Sequence, residues 1–501
     1  MIAWKQAVEQ AQDLQALAEQ LQTGGMAGVY SSSVQLVQDQ LLFMVKEGLE
    51  KFLVVVTAKE EVPFAAEVSS CGRFHVFVAE LNSANAAALR ALLPWTAPQP
   101  FGTEGISLGL GDRLGLASPG HIKTVRHSPV RPVLAQQSMR ELDLTKRTYR
   151  DVLDAATWAV FQEGYSAGYG ADGDHLKKVE HIQAALELGF SMITLDCSEH
   201  IDDGASSLSE DGVAARYREL PADLREQLEG LYKDKTYRLN SGAEIHMEPA
   251  GSERMVLTYY RALDFMEMVY KTVIDKQERS VDFEISIDEV ATPTTPQDHF
   301  FVAHELQRRG VRASSVAPRF CGQFEKGIDY IGDRAQFEQE FAIHSQIAER
   351  FGYKLSVHAG SDKFSIFPII GKHAGKRGYH LKTAGTNWLE AVRVIAARDP
   401  ELYRAMHRKA LATVDQARAF YKVSLDLAGV PDLEQVSDGQ LPDLLRNNND
   451  VRQLLHITYG FILTDPELRE PFFTVLKANE DLYEQFLMDH IGRHLQALGI
   501  N

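Results

Sequence analysis

Two carboxylates and an imidazole stand within four residues of one another in this chain of 501 residues. Asp172, Asp174 and His175 follow an apolar, glycine-rich stretch and precede a segment in which apolar residues recur at helical spacing. The pattern predicts a strand that gives way to a helix, with polar groups at the junction. Carboxylates and imidazoles transfer protons and bind divalent metals, although Asp174 alone would also be an ordinary helix N-cap.

The elements that must position this cluster alternate between strand-like and helix-like segments. Eight strand candidates follow the loop Pro94–Pro100, and amphipathic stretches fill most of the gaps between them. The candidates are Arg113–Ala117, Pro132–Gln136, Ala167–Ala171, Ser191–Cys197, Asp282–Ile287, Ala313–Pro318, Lys354–His358 and Tyr379–Thr383. The alternation predicts an α/β fold, a (β/α)8 TIM-like barrel, whose parallel strands bring their carboxyl ends and the polar residues there to one face.

The chain divides into three predicted parts. We expect an N-terminal α/β region over residues 1–100, the barrel over 101–386 and a helical region over 387–501. A charged, mostly helical insertion at 199–280 interrupts the barrel. The C-terminal region either packs beside the barrel or covers its mouth, and the sequence leaves both arrangements open.

Two histidines at predicted strand ends are the natural metal ligands of the polar face. His175 follows the third strand candidate and His358 ends the seventh, and neutral imidazole binds Zn, Mn, Co or Ni well. A carboxylate from Asp196, Glu284 or Glu325 would complete a site with two histidines and one carboxylate. The alternative for each histidine is a hydrogen-bonded residue of the core. The sequence thus points to one divalent metal ion and leaves its identity open.

Cations at the same predicted face suit an anionic ligand. Arg319, Lys363 and Lys382 lie at the ends of the last three strand candidates, and guanidinium and ammonium groups bind carboxylates and phosphates. Each of them would otherwise be a solvated surface cation. The glycines of residues 109–115 do not match GxGxxG, and the chain has no Walker A motif. We therefore expect no dinucleotide or nucleotide cofactor.

Net charge and cysteine content argue against several classes of partner. The net charge of −17 disfavours general binding to nucleic acid or anionic membranes, because both favour basic surfaces. The three cysteines form no CxxC pair, so we expect no disulfide framework and a reducing compartment. The polar N-terminal stretch predicts no signal peptide, and no apolar run comes near the roughly 20 residues of a membrane span. These features predict a cytoplasmic protein and leave a homo-oligomer open.

Most of the polar strand ends lie within longer motifs. These are Gly111–His121, Pro132–Ser138, Gly170–Lys177, Phe283–Glu284, Ala317–Phe320, Phe324–Tyr330 and His358–Ser365, with a further one at Asp450–Gly460. Together the motifs resemble the tagaturonate/fructuronate epimerase family over residues 94–386 and in the tail. The resemblance implies a metal-dependent isomerase of hexuronate metabolism that interconverts D-tagaturonate and D-fructuronate, a small-molecule sugar-acid substrate pair.

The resemblance also implies roles for individual residues. The family's proton acceptor falls on Asp174 and its proton donor on Glu284. The metal histidines fall on His175 and His358, and the third ligand falls near Glu325. A histidine as third ligand would be a departure, because no histidine lies between residues 304 and 344.

The chemistry of these substrates narrows the mechanism that we expect. The inverted hydroxyl carbon lies β to the ketone, so its hydrogen is not acidic, and retro-aldol cleavage followed by re-addition is the favoured route. Asp174 would take the hydroxyl proton, and Glu284 would act as the acid with its pKa raised by burial. We expect Gln137, Arg319 and Lys363 to bind the substrate, the last two by its carboxylate.

Two rival functions remain at the level of sequence. One is a metal-dependent sugar-acid aldolase or ketose isomerase on the same barrel, and a Schiff-base aldolase would use Lys363 or Lys382 as its nucleophile. The other is a non-catalytic sugar-acid-binding protein, which the cluster of carboxylates and histidines disfavours.

Overall fold

The computed structural model describes residues 3–500. Its N-terminal part consists of a five-stranded antiparallel sheet and three helices. Its elements are α1 (Ala3–Gln10), α2 (Leu14–Gln22), β1 (Val29–Val37), β2 (Gln40–Glu47), β3 (Glu50–Thr57), β4 (Ala66–Cys71), β5 (Phe74–Glu80) and α3 (Ser83–Leu92). Alternate residues of β3 face opposite sides of the sheet, since Val54 and Val56 share a buried cluster with Trp4, whereas Val55 shares one with Trp158. Both faces of the sheet are therefore covered.

The centre of the molecule is a closed barrel of eight parallel strands, which confirms the predicted fold class. The strands that follow the N-terminal sheet are β6 (Ser107–Gly109), β7 (Arg131–Gln137), β8 (Gly170–Leu176), β9 (Met192–Asp196), β10 (Lys235–Arg238), β11 (Glu244–Met247), β12 (Asp282–Ile287), β13 (Ser315–Pro318), β14 (Lys354–Val357) and β15 (Tyr379–Lys382). The barrel order is β12-β13-β14-β15-β6-β7-β8-β9, while β10 and β11 form a separate hairpin. Glu284 is in register with Thr194 on one side and Ser315 on the other.

Helices surround the barrel and fill the segment between β9 and β12. They are α4 (Ser118–Val125), α5 (Met139–Thr145), α6 (Tyr149–Gln162), α7 (Val179–Leu188), α8 (Glu210–Arg218), α9 (Ala222–Tyr232), α10 (Pro249–Val269), α11 (Pro296–Arg308), α12 (Arg334–Phe351) and α13 (Phe367–His373). The long segment between β9 and β12 thus contains α8, α9 and α10, together with the β10–β11 hairpin that the sequence analysis did not predict.

The first barrel strand lies earlier than predicted. Residues 113–117 form a loop and not a strand, because the side chain of Asp112 accepts hydrogen bonds from the backbone N–H groups of Leu114, Gly115 and Ala117. These bonds fold the chain back on itself, which is incompatible with an extended ladder. With β6 at Ser107–Gly109, the gap before β7 is long enough to hold α4.

The third barrel strand contains the polar cluster itself. It begins at Gly170, three residues after the predicted start, and α7 begins only at Val179 with Lys178 as its N-cap. Asp174 is therefore not a helix cap. His175 has a φ of 54°, and the pairing of β8 with β9 is irregular between Gly173 and Leu176. The two polar residues lie in a distorted strand end, where backbone strain is typical of functional sites.

Helices of the C-terminal part pack on the barrel. They are α14 (Asn387–Arg398), α15 (Pro400–Arg418), α16 (Leu441–Asn447), α17 (Asn449–Ile457), α18 (Tyr459–Leu463), α19 (Pro466–Ala478) and α20 (Glu480–Ala497). Gly120 on α4 lets α20 approach closely, since a Cβ there would lie 3.0 Å from Cβ of Leu487. Of the helices within residues 3–500, none combines the length and apolarity that a membrane crossing needs.

Candidate active site

Lys382 is the centre of an ion-pair network inside the mouth of the barrel. Its Nζ lies 3.0 Å from Asp172, 2.6 Å from Asp174 and 2.9 Å from Glu284, and it donates to Thr194 at 2.6 Å. Burial alone would lower the pKa of this ammonium, but the three carboxylates outweigh burial and raise it above its ordinary value. Lys382 is therefore held in its charged form.

Two imidazoles and one carboxylate form a compact group beside this network. Ligand atoms of His175, Asp288 and His358 all lie within 4.8 Å of one another. Nδ1 of His358 is 3.1 Å from Oδ1 of Asp288, and Nε2 of His175 is 3.9 Å from the same oxygen. Nε2 of His175 is buried and has no hydrogen-bond partner in the described part of the chain. This donor set suits a divalent transition metal.

The second ring nitrogen of each imidazole also contacts a carboxylate. Nδ1 of His175 is 2.8 Å from Oδ1 of Asp174, and Nε2 of His358 is 2.8 Å from Oε1 of Glu284. Metal-binding histidines typically donate their second ring N–H to a carboxylate in this way, which fixes the ring and the tautomer. The arrangement therefore has the inner and outer contacts of a metal centre.

The charge balance of this site favours an additional cation. With both imidazoles neutral, Asp172, Asp174 and Glu284 contact the ammonium of Lys382, and the fourth carboxylate, Asp288, contacts only the imidazoles among ionisable groups of the described residues. Burial alone would lower the pKa of His175, yet the Asp174 carboxylate raises it to about 10. A divalent metal would supply the same positive charge in place of protons on the imidazoles.

The environment of Glu284 differs from the sequence-based expectation. We expected burial to raise its pKa, and burial does act in that direction. The adjacent Lys382 ammonium and the hydrogen bond to His358 outweigh burial and hold the pKa well below its ordinary value. The side chain is fully enclosed and does not line the cavity of the site.

Two other predicted site residues lie apart from the imidazole pair. The carboxylate of Glu325 accepts hydrogen bonds from Ser424 and from Gln453, and it is not part of the group formed by the two imidazoles. Lys363 is fully buried, and its Nζ donates to the backbone carbonyls of Glu325, Ile328 and Ser361. The hydrogen bonds of both side chains are thus made to groups other than the imidazole pair.

The two remaining predicted residues occupy the edges of the site. Gln137 is fully buried with both amide atoms unpaired within the described residues, and its neighbour Gln136 lines the cavity. Arg319 donates to the backbone carbonyl of Val290 and lines an adjoining cavity of about 170 Å³. That cavity shares five lining residues with the first one, namely Asp288, Glu289, Lys326, His358 and Ala359.

Sequence reasoning missed part of the cavity wall. The main cavity measures about 80 Å³ and is also lined by Arg113, Lys326 and His456. The sequence pattern predicts a strand at Arg113, which lies in a loop, and His456 lies in a helix far along the chain. Both lie in the longer motifs noted above, which were the only signal available for them.

Comparison with known proteins identifies the family. Residues 30–498 match the family described as tagaturonate epimerase. The chain belongs to this family. The relatives described next are named tagaturonate/fructuronate epimerase, an isomerase-type enzyme.

Relatives of the chain cover nearly its whole length. The tagaturonate/fructuronate epimerase of Thermotoga maritima is 42% identical over 473 residues, which are 94% of this chain and 96% of that protein. A glycerol-complexed crystal structure of the fructuronate-tagaturonate epimerase UxaE from Cohnella laeviribosi is 48% identical, with a TM-score of 0.92. That match covers 97% of this chain and 99% of the other. The native crystal structure of the same enzyme is 47% identical, also with a TM-score of 0.92, and covers 97% of this chain and 99% of its own.

Proposed function

We propose that this protein interconverts D-tagaturonate and D-fructuronate by retro-aldol cleavage and re-addition, with a divalent metal as cofactor. The observation that carries the proposal is the group of His175, Asp288 and His358 beside Asp174 and Lys382. It lies at the carboxyl ends of barrel strands, where barrel enzymes carry their catalytic residues. The family to which the chain belongs is named for the same activity.

The metal would be held by His175, His358 and Asp288. This set replaces Glu325 with Asp288, because the Asp288 carboxylate reaches both imidazoles, whereas Glu325 is bound to Ser424 and Gln453. Zn, Mn, Co and Ni all accept such donors. When bound, the metal would act as a Lewis acid that stabilises negative charge on the substrate's ketone oxygen.

Asp174 would act as the base. It would take the proton of the hydroxyl β to the ketone while the bond between the β and α carbons breaks, and the bonding electrons would pass to the enediolate. The aldehyde fragment would turn and the bond would re-form on its other face, after which Asp174 would return the proton. Burial raises the pKa of Asp174, but Lys382 and His175 lower it well below its ordinary value. A substrate hydroxyl that separates Asp174 from Lys382 would remove the larger of these two lowering effects.

Glu284 would act through its neighbours. Its carboxylate accepts from Ser315 at 2.6 Å and contacts both His358 and Lys382. Because it does not line the cavity, it would orient the imidazole and the ammonium rather than protonate the substrate. This departs from the proton-donor role that we expected for it.

The contacts of two lysines disfavour a Schiff-base aldolase. Three carboxylates keep Lys382 charged, so its amine lacks the free electron pair that a nucleophile needs. Burial lowers the pKa of Lys363 to about 7, but three carbonyls enclose it and it does not line the cavity. Borohydride treatment in the presence of substrate should therefore trap no adduct.

The test of the proposed function is incubation with D-fructuronate followed by chromatography. We expect tagaturonate to form. The rate of its formation should fall to background after chelation and recover when a divalent metal is restored. Asp174→Asn should bind metal like the unmodified protein, as measured by elemental analysis, and lose turnover by about 100-fold or more. Turnover that survives complete removal of metal, or a fully active Asp174→Asn protein, would contradict the proposal.

A further inference from the structure

Part of the lining of the main cavity, which we call the basic wall, carries cationic side chains and unpaired polar atoms. Arg113, Lys326 and His456 line it, together with Gln136. Nη1 of Arg113, both ring nitrogens of His456 and both amide atoms of Gln136 are buried and have no hydrogen-bond partner among residues 3–500. Buried polar groups are nearly always paired, so this concentration of unpaired atoms in one cavity indicates a ligand.

Arg113 is fixed in one orientation. Its Nε donates to Oε1 of Glu141 at 2.9 Å, and Nη2 donates to the same oxygen. The ring of Tyr459 lies 4.2 Å from the guanidinium carbon. These contacts use one edge and one face of the group and leave Nη1 available. Such a held guanidinium binds a carboxylate at little further cost in side-chain entropy.

Two glycines leave space for the ring of His456. A Cβ on Gly385 would lie 2.6 Å from Cε1 of the ring, and a Cβ on Gly327 would lie 3.7 Å from Nδ1. Burial lowers the pKa of His456 well below its ordinary value, and Arg113 and Lys326 act in the same direction. The ring is therefore neutral, so one of its nitrogens donates a hydrogen bond and the other accepts one.

Lys326 supplies the net charge of this wall. It is half-buried and makes no ion pair or hydrogen bond within the described part of the chain. Arg113 is neutralised by Glu141, so the free ammonium of Lys326 gives the wall an excess of one positive charge. The same cavity is also lined by the carboxylates of Asp174, Asp288 and Glu289 and by the ammonium of Lys382.

We infer that Arg113, Lys326 and His456 bind the carboxylate of the sugar acid. The inference rests on the proposed function and names the part of the substrate that this wall recognises. Nη1 of Arg113, the ammonium of Lys326 and a ring N–H of His456 are three donors without a partner among the described residues, whereas Lys382 in the same cavity is already bound to three carboxylates. A substrate placed this way has its carboxylate at the basic wall and its reacting carbons beside Asp174 and the metal-binding group.

This assignment replaces the carboxylate site expected from sequence. The ammonium of Lys363 already donates hydrogen bonds to three backbone carbonyls. Arg319 donates to Val290 and lines only the adjoining cavity. The basic wall would also bind sugar acids more tightly than neutral ketoses of the same length, because a hydroxymethyl group has no negative charge to pair with the ammonium of Lys326.

The experiment compares Lys326→Gln with Arg319→Gln as its control, because Lys326 lines both cavities and Arg319 lines only the adjoining one. Steady-state kinetics would use metal-loaded protein and D-fructuronate, and calorimetry would give the Kd of D-fructuronate and of D-fructose. We expect Lys326→Gln to raise both KM and the Kd of D-fructuronate about tenfold, the loss of one charge-assisted hydrogen bond, with kcat less affected. The Kd of D-fructose should stay within about twofold, and Arg319→Gln should change neither Kd by more than that.

Several outcomes separate this inference from the proposed function. Arg319→Gln with the larger loss of D-fructuronate binding, or Lys326→Gln with equal losses for acid and neutral sugar, would overturn the carboxylate assignment. Arg113→Lys offers a second check, because it keeps the charge but loses the fixed Nη1, and it should also raise the Kd for the acid selectively. Selective tight binding of D-fructuronate without any turnover by the unmodified protein would support the basic wall and contradict the epimerase activity.

Discussion

The ionisable residues of the site act as a coupled set rather than singly. Lys382 contacts three carboxylates, and two of these, Asp174 and Glu284, also contact the imidazoles of His175 and His358. Removing one member leaves its partners buried without compensation, which costs more than one hydrogen bond. Energies of single substitutions here will therefore not add.

At the residue scale, we predict that Asp288 and not Glu325 is the third metal donor. Asp288→Asn should lower metal affinity at least about tenfold, because its carboxylate reaches both imidazoles. Glu325→Gln is the matched control and should keep its metal. Elemental analysis after dialysis against a weak chelator measures both, and the reverse pattern would restore Glu325 as ligand.

A second prediction at this scale concerns the glycine beside His456. Gly385→Ala places a Cβ 2.6 Å from Cε1 of that ring and 3.5 Å from Nη2 of Arg113, so the ring must move out of position. We expect kcat/KM to fall about tenfold, or about 1.4 kcal/mol, which lies within the roughly 1–3 kcal/mol typical of overpacking. Gly492→Ala, on α20 with open space around its Cβ, should leave kcat/KM unchanged. Equal activity of the two variants would show that His456 is not needed where it lies.

At the element scale, C-terminal helices support the loop that follows β14. Asp362 in this loop has a φ of 62°, and its backbone N–H donates to Nε2 of His494 on α20 at 3.0 Å. Nη2 of Arg452 on α17 lies 2.8 Å from its carboxylate. The strained backbone conformation thus depends on residues more than 85 positions away in the sequence. Because the same loop carries His358, these helices help to place a residue that we propose as a metal donor.

We predict that His494→Leu weakens both the fold and the metal site. It removes the acceptor of a buried N–H, which costs about 1–3 kcal/mol. His407→Leu on α15 is the matched control, since His407 is equally buried but neither ring nitrogen has a partner in the part of the chain described. Thermal unfolding and metal titration should show losses for His494→Leu alone. An unchanged metal affinity in that variant would limit α20 to a structural role.

At the scale of the whole molecule, one carboxylate joins the N-terminal sheet to the C-terminal helices. Glu480 at the start of α20 accepts from Lys46 on β2 at 2.9 Å, and it also contacts Lys51 on β3 and the hydroxyl of Tyr30 on β1. A cavity of about 470 Å³ lies beside these groups and shares no residue with the catalytic one. This ionic cluster therefore joins the sheet to α20 at the edge of that cavity.

The corresponding prediction is that Glu480→Ala loosens this attachment. It leaves two partly buried ammonium groups without their carboxylate, at a cost of about 3 kcal/mol. Glu50→Ala removes an exposed partner of Lys477 and should cost about 0–1 kcal/mol. Thermal unfolding should show a lower midpoint for Glu480→Ala only, with kcat at permissive temperature unchanged because the catalytic cavity is separate. Equal midpoints for the two variants would contradict the role of Glu480.

The sequence by itself determined the barrel and the core of its polar face. Strand and helix periodicities are local properties, and parallel strands in a closed barrel must present their carboxyl ends together, so Asp174, His175, Glu284 and His358 could be brought to one site without coordinates. The prediction was wrong where a side chain overrode the local pattern: the apolar run at 113–117 resembles a strand, but Asp112 folds it into a loop.

Only the tertiary structure decided which polar residues are free to act. Lys363 and Glu325 have suitable types and positions, yet distant backbone and helix groups satisfy their hydrogen bonds. Asp288, Lys326 and His456 line the cavity because of side-chain direction and helix packing, which sequence spacing does not encode. A site depends on which hydrogen bonds remain unmade, and that quantity exists only once the whole chain has folded.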